Sequence, residues 1–247
     1  MNIHLFGSTS LTGITYHKLI KEFGNYNKIF SYSSSKSSNF FFDLSDYQKC
    51  QLRDFQKESL IISFAPIWMI SDFLENSYKE NPESLREVKG FIICSSSSSC
   101  TKKYSSNKFD KKLSSNLINA ENKIINISKI LNNKCMIIQP SLIYGSIGSK
   151  KDKNIYKIIK IISKLPFIIL PNETGLRQPI HITQLAELFF KYSEEISKTT
   201  DSLNSVNFSK ILVGGDSEIS YEKMIKQIIK KINFKKRKIY CKIIKIP

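Results

Sequence analysis

The first thirteen residues constrain this chain most. Asn2–Phe6 (NIHLF) is a short, mainly apolar run that stops at Gly7. A turn follows as far as Gly13, and Ile14, Leu19, Ile20 and Phe23 then recur at helical spacing until Gly24 ends the pattern. The same grammar repeats downstream. Lys28–Tyr32, Leu60–Phe64, Gly90–Cys94 and Lys134–Gln139 read as strands, with Phe40–Phe42 as a further short apolar segment. Helical stretches run over Met69–Lys79 and Leu113–Leu131. Unbroken Ile, Phe and Leu runs indicate strands buried on both faces, which requires a parallel sheet covered by helices above and below. The fold class is therefore α/β, a doubly wound parallel sheet, and such a sheet binds its ligand at the C-terminal ends of its strands.

After Gly148 the pattern changes to a helix, a segment bounded by Pro166 and Pro171, and a second helix from Thr183. The expected organisation is a doubly wound α/β domain over residues 1–150 and a smaller α/β lobe over 151–247. In Tyr221–Ile232, the residues Ile225, Ile228, Ile229 and Ile232 fall on one helical face, which core packing explains.

Composition narrows the partners. The 247 residues carry 38 Lys and Arg against 21 Asp and Glu, a net charge of +17. Much of this lies in residues 221–247, with ten basic side chains and one acid. Residues with A/T-rich codons dominate the chain, so coding bias accounts for part of the lysine excess, and no nucleic-acid partner is expected. The basic segment could face an anionic membrane or substrate, but a solvated face explains it more simply. Cys50, Cys94, Cys100, Cys135 and Cys241 form no CxxC pair, and with three scattered histidines they give no metal-site spacing. Free thiols and a structured N-terminus lead to the expectation of a cytoplasmic protein. The most apolar stretch, residues 155–170, is interrupted by Lys157, Lys160 and Lys164, against a membrane span.

The turn Gly7-Ser-Thr-Ser-Leu-Thr-Gly13 has the first and third glycines of a dinucleotide-binding turn, with Ser10 in the middle position. A serine Cβ there could crowd a pyrophosphate. The second strand ends in Ser31-Tyr-Ser-Ser-Ser-Lys36 with no acid, so Ser33 and Lys36 lean slightly from NAD towards NADP, unless Lys36 is an ordinary surface lysine.

Further segments then line up in order. They are Asp43-Leu-Ser-Asp46, Ile62-Ser-Phe-Ala-Pro-Ile-Trp68, Ser95–Lys102, Ala120-Glu121, Gln139–Gly145, Gly175–Ile182 and Val213–Tyr221. In this order the chain resembles an extended or atypical short-chain dehydrogenase/reductase of the NAD-dependent epimerase/dehydratase type. The resemblance implies a Rossmann-type domain that binds NAD or NADP, with a small lobe for a nucleotide sugar or similar phosphorylated substrate. It implies cofactor contacts at Gly7, Ser8, Thr9, Ser10, Leu11, Gly13, Ser33, Lys36, Asp43, Leu44, Phe64, Ala65, Pro66, Ser96 and Pro140. Tyr144 and Arg177 would meet the substrate, Arg177 by gripping a diphosphate; a salt bridge closing the lobe is its structural alternative. A homodimer is common in the family, and the sequence leaves it open.

The departures concern catalysis. Family enzymes carry a Tyr-x-x-x-Lys pair on the long helix, with a Glu four residues beyond. If Glu121 is that Glu, the pair is replaced by Leu113 and Leu117, which cannot exchange protons. Tyr104–Lys108 has the spacing but precedes the helix. Ser97 matches the family residue that hydrogen-bonds a reacting hydroxyl, and Lys102 is a candidate substitute acid/base. Gln139 stands where an Arg is frequent, and Thr183-Gln184 where two acids are. His181, between Ile180 and Ile182, reads as a core histidine. Two functions follow: an NAD(P)-dependent oxidoreductase, or a non-catalytic NAD(P)-binding protein, a redox sensor or structural subunit, that has lost the pair.

Overall fold

The computed structural model describes residues 1–35, 40–46, 57–198, 208–234 and 241–246. Lys36 and Cys50, with part of the basic segment 221–247, lie outside them. The chain opens with β1 (Asn2–Phe6), α1 (Leu11–Phe23), β2 (Lys28–Ser33), β3 (Phe40–Phe41), β4 (Ser59–Ser63) and α2 (Ile67–Glu80). It continues through β5 (Val88–Cys94), the short α3 (Ser98–Thr101), the long α4 (Lys108–Leu131) and β6 (Lys134–Pro140). Next come β7 (Ile143–Tyr144), β8 (Ser146–Ile147), β9 (Lys150–Lys151), α5 (Ile155–Ile162) and β10 (Phe167–Pro171). The last elements are β11 (Leu176–Arg177), β12 (Ile180–His181), α6 (Ile182–Lys198), β13 (Phe208–Val213), β14 (Ile219–Ser220), α7 (Tyr221–Phe234) and β15 (Lys242–Ile246).

Two compact units result: residues 1–140 with 183–213, and 141–182 with 214–247. The division is not at a single point in the chain, because α6 and β13 belong with the N-terminal residues.

The larger unit holds a seven-stranded sheet in the order β13-β6-β5-β4-β1-β2-β3, parallel throughout. This is the doubly wound arrangement read from the apolar runs. The order reverses between β1 and β4, where such sheets open a crevice at their C-terminal ends. β1 and β4 are buried along their whole length. One core layer gathers Phe6, Tyr32, Phe42, Ile70, Phe73, Phe91, Leu117 and Ile124. The sequence had not placed β13 in the sheet. It is an edge strand with alternating exposure.

The smaller unit has four two-stranded ladders, β10-β15, β11-β14, β12-β7 and β8-β9. Its core centres on Ile162, Ile225 and Cys241, packed by Ile158, Ile168, Ile228, Ile229, Ile232 and Ile243. This confirms the apolar face expected for α7. Among the described residues, no helix is long and apolar enough to cross a membrane, and no group of His, Cys, Asp and Glu could hold a metal.

Candidate functional site

In the larger unit the site is built at the ends of β1, β2 and β4. Gly7 has φ +68°, and a Cβ there would stand 2.6 Å from the Ala65 amide nitrogen and 2.7 Å from the Phe64 carbonyl carbon. Only glycine allows this turn to lie against the end of β4. A Cβ on Gly13 would overlap the Gly7 carbonyl oxygen, so the second glycine lets α1 start directly on the turn. Ser10 caps α1: its Oγ accepts a hydrogen bond from the Gly13 amide at 3.0 Å. The residue that breaks the glycine motif thus uses one of the amides that a helix start would otherwise offer to an anion. Leu11 is the first residue of α1.

Ser8 and Thr9 tie this turn to β2. Ser8 Oγ donates to the Tyr32 carbonyl at 3.1 Å, and the Thr9 and Ser33 hydroxyls lie 2.7 Å apart. Beyond β3, Asp43 accepts from both the amide and the hydroxyl of Ser45, which holds its carboxyl below the ordinary value. Leu44 packs against the core. Phe64 turns its ring towards Phe189 and Tyr16, at centroid distances of 4.4 and 5.6 Å, so its backbone is the part that meets Gly7. Pro66 is the N-cap of α2.

The serine run after β5 bridges two strand ends. The Ser95 amide donates to Ile138 O at 2.8 Å and the Ser97 amide to Pro140 O at 3.0 Å. Ser96 Oγ accepts from the Ser98 amide. Ser97 is the N-cap of α3 and makes no side-chain capping bond. Beneath this loop lies Glu121, 1% exposed. Its Oε1 accepts from Ser95 Oγ at 2.5 Å and from Gln139 Nε2 at 2.8 Å, while Lys210 Nζ of β13 stands 3.4 Å from Oε2. Gln139 also donates to Ser99 Oγ at 2.7 Å, and Ser114 Oγ to the Ser99 carbonyl at 2.7 Å. Gln139, noted in the sequence only as a departure, is thus half of a clamp that fixes the serine loop. Glu121 falls four residues after Leu117 and three before Ile124, so its place on the buried stripe of α4 was legible.

The catalytic candidates are dispersed. Leu117 is buried in the core and Leu113 packs against it. Tyr104 is 85% exposed, in the turn before α4, whereas Lys108 is the first residue of α4. Lys102 forms an ion pair with Asp110 at 2.7 Å.

In the smaller unit, the Tyr144 ring stands edge-on to half-buried His181 at 5.1 Å. Arg177 is exposed; its Nη1 donates to the Leu176 carbonyl, and its guanidinium lies 5.6 Å from the Tyr221 ring centroid. Among the described residues it has no ion pair. Gln178 donates to Gly215 O, and Ser141 Oγ to Gln178 O, which stitches this unit's loops together.

No protein-family model and no curated protein matches the sequence. Solved structures do match in shape. UDP-glucuronic acid 4-epimerase from Bacillus cereus, in complex with NAD, has a TM-score of 0.71 at 13% identity, over 99% of this chain and 88% of that one. GDP-mannoheptose C4 reductase from Campylobacter jejuni, with NADP bound, gives 0.67 at 11%, over 99% and 88%. dTDP-glucose 4,6-dehydratase from Bacillus anthracis, in complex with NAD, gives 0.63 at 15%, over 100% and 85%. At these identities the likeness is one of fold, and this chain has the Rossmann-type α/β fold of these epimerase, reductase and dehydratase structures.

Proposed function

We propose that the protein binds NAD or NADP on the larger unit and acts as an oxidoreductase on a nucleotide sugar or similar phosphorylated substrate. The turn that only glycine fits, set where the strand order reverses, carries this reading. Gly7, Ser8, Thr9 and Leu11 would hold the pyrophosphate, with Gly13 seating α1 on the turn, Ser33 the ribose, and Asp43 and Leu44 the adenine side. When bound, the nicotinamide supplies hydride transfer. The chain's own part is positional. Ser96 and Pro140 would flank the cofactor, and the Ser97 hydroxyl, free of the capping bond that would engage it, would hydrogen-bond the reacting hydroxyl of the substrate. Glu121 and Gln139 keep the loop that carries Ser97 rigid. Tyr144 and Arg177 are the substrate contacts of the smaller unit.

A second reading, a non-catalytic NAD(P)-binding protein, is favoured by the core leucines at 113 and 117, the outward Tyr104 and the Asp110-bound Lys102. Calorimetric titration with NADH and NADPH tests both: saturable binding of either is expected, and no heat at millimolar ligand would sink both. Turnover of nucleotide sugars then separates them. Under the oxidoreductase reading, Ser97→Ala cuts kcat roughly a hundredfold while cofactor affinity holds. Under the second there is no turnover to lose.

A further inference from the structure

The smaller unit leaves one sheet face bare. β10 and β15 pair in parallel, with Phe167 opposite Lys242, Ile169 opposite Ile244 and Pro171 opposite Ile246. Side chains alternate along a strand, so these residues share one face. The opposite face carries Ile168 and Ile243, which pack onto the core of Ile162, Ile225 and Cys241. On the bare face Phe167, Ile169, Ile244 and Ile246 are 45%, 54%, 44% and 47% exposed.

Lysine dominates the charge along the approach to this strip. Between Asp152 and Glu173 the sequence has four lysines and no acid. Lys164 and Lys242, both exposed, sit where the two parallel strands begin.

The geometry selects an occupant. Two five-residue strands about 4.8 Å apart present roughly 160 Å². A stable protein partner needs about 800 Å² on each side. Protein hot spots also favour Trp, Tyr and Arg, and the strip has none of these. A lipid surface demands neither area nor shape: shallow insertion of aliphatic side chains with lysines at headgroup level suffices. We propose that the bare β10–β15 face docks the protein on an anionic lipid surface. Phe167, Ile169, Ile244 and Ile246 enter the acyl boundary, and Lys164 and Lys242 meet the lipid phosphates. This docking uses none of the residues assigned to the cofactor and does not depend on that assignment.

The test is co-sedimentation of the full chain with phosphatidylcholine vesicles, with and without phosphatidylserine. Binding is expected only with phosphatidylserine, and is weakened by salt. Ile169→Asp with Ile244→Asp lowers binding at least about tenfold, and Lys164→Gln with Lys242→Gln about thirtyfold. All four positions are exposed, so unchanged circular dichroism and thermal midpoint certify the variants. Absence of wild-type binding to either vesicle overturns the proposal. So does full binding by the double aspartate variant. Self-association that this variant abolishes, without lipid binding, would assign the face to a second copy and overturn it as well.

Discussion

The two units treat polar and apolar groups in opposite ways. The larger, 171 residues, carries a formal charge of +5; the smaller, 76 residues, has 17 basic and five acidic residues and carries +12. Of the sixteen large apolar side chains left exposed among the described residues, eight belong to the smaller unit. The larger unit turns polar groups inward, with Glu121, Gln139, Ser99 and Ser114 all buried and bonded to one another or to the backbone. The smaller turns apolar groups outward. The contrast separates a part shaped around a fixed internal geometry from a part shaped around its surroundings.

The sharpest way to break the comparison is at the glycine turn. Gly13→Val drives a side chain into the Gly7 carbonyl, and a loss of about 3 kcal/mol in urea unfolding is expected, with loss of NAD(P)H binding. A stable variant that still binds would show that the turn is not rigid.

Two carboxylates provide the next contrast. Glu121→Ala strands Ser95 and Gln139 in a buried site and should cost about 2–3 kcal/mol. Glu222 of the smaller unit, half-buried, meets the exposed Lys226 and Lys245 at 2.8 and 2.9 Å. Glu222→Gln should lower the unfolding midpoint far less than Glu121→Ala. Equal effects would erase the distinction between the units.

A smaller effect depends on pH. Burial, aided by nearby Lys21, lowers the pKa of His17 from 6.5. The unfolded chain then binds a proton that the folded chain refuses, so stability falls as pH drops below about 6.5. The slope of urea midpoint between pH 7.5 and 5.5 should be shallower in His17→Gln; an identical slope would assign it to other groups.

Smallest is the thiol pattern. Burial raises the Cys94 and Cys135 thiols to about 12, whereas Cys100 is exposed. Among these three, Cys100 should be modified first by a thiol reagent, as mass spectrometry of partly labelled protein would show.

Much of the larger unit was legible because its strands are written as unbroken apolar runs. β1 matches its expected bounds, β2, β5 and β6 differ by one or two residues at one end, and β4 is shifted by one residue. β13 was not legible, since its alternating exposure resembles a surface segment and its partner lies far back in the sequence. The site was legible at Gly7 and Gly13, whose residue type states a backbone requirement. Ser10 was read as an obstacle and is a helix cap. The pairings of Glu121 with Gln139 and of Lys102 with Asp110 join separate elements, so no local pattern announces them.

The position of β13 also orders assembly in time. Its register with β6 pairs Phe208 with Cys135, across a long intervening stretch of chain. During synthesis β6 emerges well before its outer neighbour, and the loop that must close is long. Until then β6 offers a bare edge of unpaired amides and carbonyls beside an apolar core, the kind of surface on which partly made chains stick together. The interval between translation of residue 140 and residue 213 is therefore the window in which the nascent chain leaves this edge uncovered.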